Sequence, residues 1–434
     1  MKLNQTIGAL ALALGVTSVA QAQTPVYITG STAFRAQVYA GLADLNLTVQ
    51  QGRANSANSF TFTGTVSDAT PGHNNLVLGG LAGQSVTAYC TFSGSVEGIQ
   101  QLLTPQANSY DAVGSGSVSH TGVDLAFSDV LQASTQLAGS THQQALALSA
   151  DAGIGGVAVQ PFCVAGNATA AAKISNVTSY NLLDVLDFGG LDLSLFSGVQ
   201  ADSATTVLGC GRYDLSGTRV TTELDNNDIN GIGDALLQYV LVSASTVNNP
   251  PGLLSTDSTH PTGTYWAELV GLTDSNSNPL DNSGTNGYFS GGNVGLALDY
   301  SSTASSQDPT QTYTAPVIGY ISFSDCQAKM ASTTTPFALQ HGNGVFTWNG
   351  QNPGTPGAWN ITGVENGTYT FWSYERLYTQ PTATENAFVV NTFAPGFISA
   401  FQYAVANTVP RTACLISEMH VYRGGDGGDV LEKP

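Results

Sequence analysis

In Val26-Tyr27-Ile28-Thr29-Gly30-Ser31-Thr32-Ala33-Phe34, a short apolar strand runs into a turn of small and hydroxylated residues. From Ala33 to Leu45 the apolar residues Phe34, Val38, Leu42 and Leu45 recur at helical spacing, so the turn opens a helix. The same strand, tight loop and helix return at Tyr89 to Phe92, Ser93-Gly94-Ser95 and Val96 to Leu103, with Ile99, Leu102 and Leu103 on the apolar face. Val123-Asp124-Leu125-Ala126-Phe127 is a strand that ends in Ser128-Asp129, and Gly155 to Phe162 reads as a buried strand. Strands alternating with helices predict an α/β sheet of parallel strands.

Beyond this frame the texture changes. From Asn226 to Pro316, Asn, Ser, Thr, Gly and Pro punctuate short apolar pieces such as Leu236 to Val242 and Tyr265 to Leu272, the pattern of an elaborated, loop-rich insertion. Strands resume at Val317 to Phe323, around Tyr369 to Tyr374 and at Ala387 to Phe393, and a helix is expected near Gly396 to Val405. The Gly- and Asp-rich end, Gly424 to Pro434, reads as a flexible tail.

The chain of 434 residues is long enough for two or three compact units with sizeable cores. Its 30 acidic and 11 basic residues give a formal charge of -19, which excludes nucleic acid and anionic membrane surfaces as partners, since no Lys/Arg cluster offers a local exception. A hydrophobic content of 42% excludes a disordered chain.

Met1 and Lys2 precede an apolar run from Ile7 to Ala20 that ends in Ala20-Gln21-Ala22, the small-x-small pattern cut by signal peptidases. Residues 1–22 are therefore expected to be a signal peptide cleaved near Ala22, leaving a periplasmic or secreted protein. No cysteine at that site would take a lipid, and no later run is long and apolar enough to span a bilayer, so no membrane anchor is expected. Loss of Lys2 takes the charge from -19 to -20. Cys90, Cys163, Cys210, Cys326 and Cys414 are too widely spaced for a clustered zinc site; one or two disulfides are compatible with export, and no pairing follows from spacing.

Four separated loops share one character: Thr29-Gly30-Ser31-Thr32-Ala33, Gly94-Ser95, Ser128-Asp129, and Arg212-Tyr213-Asp214-Leu215-Ser216-Gly217-Thr218-Arg219. Each follows a strand or strand-like piece, and loops at strand ends that open helices present backbone N–H groups and a helix dipole to an anion. The chain has only seven arginines, and Arg212 and Arg219 bracket one Ser-Gly-Thr turn. Each feature also has a plain structural role. Ser216 to Thr218 and Asp129 are good helix caps, Arg219 is spaced to pair with Glu223 on the surface, and Phe371-Trp372-Ser373-Tyr374 alternates as core aromatics do. Asn226-x-Asp228-x-Asn230-Gly231 starts like a calcium loop but has Leu237 where a Glu is required. His73, His120, His142, His260, His341 and His420 form no close pair, so no metal, cofactor or His-based catalysis is implied.

These same residues, Thr29-Gly30-Ser31-Thr32-Ala33-Phe34 with Val38-Tyr39, Gly94-Ser95, Val123-Asp124 leading to Ser128-Asp129, and Arg212-x-Asp214-x-Ser216-Gly217-Thr218, resemble the phosphate-binding component of ABC transporters, within the type 2 periplasmic binding protein superfamily. Gly291-Gly292-Asn293-Val294-Gly295, Ile318-Gly319-Tyr320 and Asn366-Gly367-Thr368-Tyr369 follow in the order expected for that family. Arg35 stands where the family has proline, and Tyr213 and Leu215 are bulkier than its pattern.

The resemblance implies an α/β, two-lobed, venus-flytrap fold with the ligand in the cleft, and a binding protein rather than an enzyme. Lobe 1 would comprise 23–158 and 351–423, and lobe 2 would comprise 159–350 with the insertion at 226–316. It also implies the ligand set. Thr32 and Phe34 would contact the ligand from the first loop, beside Ser31 and Ala33, with the choice between Thr32 and Ala33 left open. Ser95 would offer a hydroxyl and an amide, Asp129 beside Ser128 an acceptor, and Arg212, Ser216, Gly217 and Thr218 the opposite clamp, with Asp214 orienting Arg212. The implied ligand is inorganic phosphate or a related oxyanion, and the implied partner an ABC transporter permease. Asp129 fits that ligand because protonated phosphate can donate to a carboxylate whereas sulfate cannot. The low charge and the Asn/Ser/Thr/Gly-rich insertion fit a second reading, a secreted structural or adhesive protein that keeps the fold without transport.

Overall fold

The computed structural model describes residues 23–52, 58–67, 76–138, 146–147, 156–225, 236–243, 264–268, 287–300, 305–306, 315–330, 342–380 and 386–433. The expected signal peptide, the calcium-like stretch from Asn226 to Asn230 and most of the insertion lie outside them. Among the described residues no helix is long and apolar enough to cross a membrane.

The frame is a 12-stranded mixed sheet with helices on its faces. Its main strands are β1 (Thr24–Gly30), β2 (Thr48–Gly52), β3 (Ser59–Thr65), β4 (Ser85–Thr91), β5 (Leu125–Ser128), β6 (Ala158–Gly166), β7 (Leu191–Asp192), β8 (Thr206–Cys210), β9 (Val317–Ser322) and β10 (Trp372–Thr379). They lie in the order β7-β8-β9-β6-β10-β5-β1-β4-β3-β2. The helices that matter here are α1 (Arg35–Asp44), α2 (Ser95–Leu103), α3 (Ser179–Phe188), α4 (Gly217–Asp225), α5 (Gly291–Tyr300), α6 (Phe323–Met330) and α7 (Ala394–Asn407).

The α/β class follows from the alternation seen in sequence, but the sheet is not all parallel. β1 runs parallel to both β4 and β5, and β8 parallel to β9, while β6, β10 and the β2–β3–β4 edge pair antiparallel. The parallel pairs are the ones joined by helical crossovers. Strands β6, β9 and β10 are buried along their whole length, because helices or loops cover both faces.

Two apolar cores make the chain two-lobed. One packs Val26, Ile28, Phe34 and Phe127 against Phe397 and Phe401 of α7; the other packs Val164, Leu208, Ile318 and Tyr320 against α3 and α5. Residues 346–374 share the second core through Phe346, Trp359, Tyr369 and Tyr374. Ala387 to Phe393, expected as a strand, is helical, with a π-turn at Val389–Phe393 that runs straight into α7. All five cysteines are buried, and the described residues contain no disulfide; the Cys163 thiol is hydrogen-bonded with Cys326.

The largest departure is at the C-terminus. The stretch expected to be a flexible tail is a strap: Leu431–Glu432 pairs with Val421–Tyr422, and Asp426 turns inward. Its carboxylate accepts from Arg376 of β10 at 3.0 Å and from the Leu131 amide at 2.5 Å. Arg423 reaches Asp225 at the end of α4 and lies 4.7 Å over the Trp372 ring. Arg376 and Asp426 are both buried, and removing one partner of such a pair leaves an uncompensated charge costing about 3–5 kcal/mol. Asp426→Ala is therefore expected to lower the free energy of unfolding by about that amount in denaturant titration; a change below about 1 kcal/mol would show the strap to be peripheral.

Candidate functional site

The first loop is set by Gly30. Its φ is +112°, and a Cβ there would fall 2.0 Å from the Phe127 carbonyl oxygen, so only glycine lets β1 end this close to β5. The Ser31 amide donates to that carbonyl at 2.8 Å, and the Gly94 amide donates to the Gly30 carbonyl at 3.1 Å. The loops after β1, β4 and β5 are thus stitched together at the carboxyl ends of three parallel strands, where open α/β sheets bind ligands.

The facing lobe supplies the fourth loop, after β8. Ser95 at the start of α2 donates a short hydrogen bond to Asp129 Oδ1, and Thr218 in the first turn of α4 donates to Asp129 Oδ2 at 3.3 Å. The Arg212 Nη1 lies 3.5 Å from the Thr218 hydroxyl, the outer limit of a hydrogen bond. Gly217 is what allows the approach: a Cβ there would fall 1.7 Å from Asp129 Oδ1 and 2.7 Å from Ser95 Cβ. Asp129 and Thr218, 89 positions apart in sequence, therefore meet across the lobes with their polar atoms in contact.

Arg212 is held from behind. Its Nε donates to the Tyr288 carbonyl at 3.0 Å and its Nη2 to the Phe289 carbonyl at 2.7 Å. The Arg212 amide donates to the Tyr320 hydroxyl at 2.9 Å, and Gln238 donates to the Arg212 carbonyl at 3.0 Å. Backbone carbonyls just before α5 thus help to orient the guanidinium. Tyr288 and Phe289 were not legible as site support, because they act through backbone carbonyls, which carry no sequence signature.

The remaining expected residues sort by where their side chains go. The Ser31 and Thr32 hydroxyls are buried without a hydrogen-bond partner and stay available. Phe34 packs 5.4 Å from Phe401 in the first core, and Ala33 belongs to the apolar contacts of the second. The Ser128 hydroxyl bonds locally with the Val130 carbonyl and amide, and the Ser216 hydroxyl accepts from the Arg219 amide at 3.4 Å, a helix cap. Arg219 pairs with Glu223 at 2.8 Å as its spacing implied, but the pair is buried and not on the surface.

Two of the positions that depart from the family pattern, Tyr213 and Leu215, form the contact between lobes. The Tyr213 hydroxyl lies 2.6 Å from the Ser93 carbonyl and 2.6 Å from a Glu97 carboxylate oxygen, with its one proton to share. The Leu215 carbonyl accepts from the Val96 and Glu97 amides at 3.1 and 3.3 Å, so these N–H groups of α2, expected to face an anion, are capped by the other lobe. Arg35, where the family has proline, donates to the Thr32 carbonyl at 2.7 Å and pairs with Asp325 of α6 at 2.5 Å.

Glu375 was not anticipated at all. It is fully buried on β10, and one step along the ladder beyond the Arg376–Ser128 rung places it opposite Asp129. The Ser31 hydroxyl lies beside it and favours its charged form, yet neither Glu375 oxygen completes a hydrogen bond by geometry. Burial pushes its carboxyl well above the usual carboxylate range, with the Asp129 charge adding to the rise. Burial also raises Asp129, opposed by the Ser95 hydrogen bond and by Arg212. A separate cavity of about 570 Å³ between Val157, Ala394, Ile398 and Ile416 carries no titratable side chain.

No family model matches the chain, and no curated protein does. Among solved structures, it is similar to a Clostridium perfringens protein described as a phosphate ABC transporter substrate-binding protein, solved with bound phosphate, at 11% identity and a TM-score of 0.38 over 91% of this chain and 100% of that one. It is also similar to an ABC-type phosphate transport receptor from Vibrio cholerae, at 11% identity and a TM-score of 0.35 over 88% of this chain and 97% of the other. Likenesses this distant assign nothing to particular residues.

Gly217→Ala is expected to force Asp129 and α4 apart. Overpacking of this kind costs about 1–3 kcal/mol, read as a lowered midpoint in thermal or denaturant unfolding. An unchanged midpoint would mean that the contact across the lobes is not made in solution.

Proposed function

We propose that the chain is a solute-binding protein that takes a phosphate-type oxyanion between Asp129 and Ser95 on one lobe and Arg212 and Thr218 on the other, for delivery to an ABC-type transporter. The observation that carries this reading is the convergence of those four side chains from loops far apart in sequence, around a carboxylate. A carboxylate at an anion site is unfavourable unless the anion brings a proton to it, and phosphate does so near neutral pH where sulfate does not.

On this reading the ligand replaces contacts that the lobes now make with each other. Ser95 and Thr218 hydroxyls turn from Asp129 to ligand oxygens, Arg212 supplies a charge-assisted hydrogen bond from a guanidinium already oriented by Tyr288 and Phe289, and Ser31 and Thr32 add neutral donors. Pre-orientation matters because little further side-chain entropy is lost on binding. No nucleophile or metal enters the scheme, and binding and release are its whole chemistry.

Titration calorimetry with inorganic phosphate tests it. The unsubstituted protein should bind, and Arg212→Ala should weaken binding by about 10- to 100-fold, the worth of a hydrogen bond from a charged donor. Asp129→Asn should narrow the preference for phosphate over sulfate, since the amide no longer repels an unprotonated oxygen. Absence of phosphate binding, or a selectivity untouched by Asp129→Asn, would each count against the proposal.

A further inference from the structure

The cleft holds two carboxyls, and the reading above uses one. Glu375 lies at its floor, on the strand that joins the lobes, opposite Asp129 and beside the Ser31 hydroxyl. Neither of its oxygens completes a hydrogen bond, and the hydroxyls of Ser31, beside it, and of Thr32, next in the same loop, are likewise buried without one. Buried polar atoms are almost always satisfied, so an unsatisfied carboxyl beside an unsatisfied hydroxyl is a place where a ligand would complete the bonding.

The charges that face Glu375 are few. Asp129 stands across the ladder. Arg376 is next to it on β10 but is committed to Asp426, with Nη2 at 3.0 Å. From β6 the Val157 amide reaches only the Glu375 carbonyl, at 2.7 Å. Two ionised carboxylates directly opposite one another in a buried site cannot both be retained, so one keeps its proton. Asp129 accepts from Ser95 and Thr218 and has Arg212 nearby, whereas Glu375 has only the Ser31 hydroxyl beside it, so the proton belongs on Glu375.

We propose that Glu375 is a specificity-determining residue of the same site: as a neutral acid it donates a hydrogen bond to an unprotonated ligand oxygen while ionised Asp129 accepts from a protonated one. This rests on the oxyanion reading and narrows it to tetrahedral oxyanions carrying both kinds of oxygen, phosphate and arsenate among them. With Glu375 neutral, Arg212 and Asp129 cancel and the ligand's charge meets no net opposing charge. With Glu375 ionised, the site gains a negative charge beside the anion, so affinity falls as pH rises through the Glu375 titration.

Calorimetry with inorganic phosphate from pH 6 to about 9.5, on the unsubstituted protein and on Glu375→Gln, tests this, because phosphate's own ionisation cancels in the ratio of their affinities. The ratio of unsubstituted to Glu375→Gln affinity should fall by up to tenfold per pH unit, the slope of one proton. Glu375→Ala should lose at least tenfold in affinity near neutral pH. A protonated-carboxyl band in the infrared spectrum of the unsubstituted protein that shifts on adding phosphate gives the same answer without a variant. A ratio independent of pH, or no such band, overturns the role of Glu375 and leaves phosphate binding standing. Failure of the unsubstituted protein to bind phosphate at any pH overturns both.

Discussion

A guanidinium that leaves water needs a compensating charge, and this chain has few charges of either sign to spend. Among the described residues the arginines are paired with care: Arg35 with Asp325, Arg219 with Glu223, Arg376 with Asp426, Arg411 with Glu365 and Glu418, and Arg423 with Asp225. Arg212 is the exception within that set. Carbonyl dipoles of Tyr288 and Phe289 fix its orientation without cancelling its charge, and its nearest acidic influences, Asp325 and Asp129, act only through space. The fold thus spends its acidic residues on every other buried arginine and leaves one positive group turned toward the cleft between lobes.

The same pairs decide how the lobes are joined. Strand β10 carries Arg376 and Glu375 side by side, one directed to the C-terminal strap and the other to the cleft. The strap ties β10, the Leu131 amide and the end of α4 together through Asp426 and Arg423, while Tyr213 and Leu215 tie the two lobes at the mouth of α2. An apolar seam in which Val220 of α4 packs with Val96 and Ile99 of α2 runs between these polar contacts.

Much of the frame was legible because it is local. A strand, a Gly-Ser turn and an apolar helix face are each encoded within a dozen residues, and the loops after β1, β4, β5 and β8 were all found that way. What was not legible is what depends on partners far away. The Glu375-Arg376 pair interrupts an otherwise aromatic, alternating strand and makes its second half read as surface, although the rungs to Ser128 and Phe127 bury it. The Gly- and Asp-rich ending looks flexible until Asp426 finds Arg376. Ala387 to Phe393 has strand-like apolar content but packs along one face as a helix. One signal was present and unused: in a chain with 9% charged residues, two adjacent charges flanked by Trp372, Tyr374, Leu377 and Tyr378 belong to a buried strand and need partners.

The overall charge of -19 bears on the cleft less than its sign suggests. Salt screens exposed charges beyond about 8 Å, so a buried site answers to its own groups. On the proposed reading Arg212 and Asp129 cancel there, and the groups left to receive an anion are neutral: the hydroxyls of Ser31, Thr32, Ser95 and Thr218 and, with its proton in place, Glu375. Neutral donors discriminate by direction and by proton count, not by total charge, and a site of that kind can operate inside a strongly acidic protein. A site that relied on a cluster of lysines could not be built here, since the chain has only four, and among the described residues every arginine but Arg212 is bound to a carboxylate. Discrimination between protonated and unprotonated oxygens is therefore the form of anion selectivity that this composition permits.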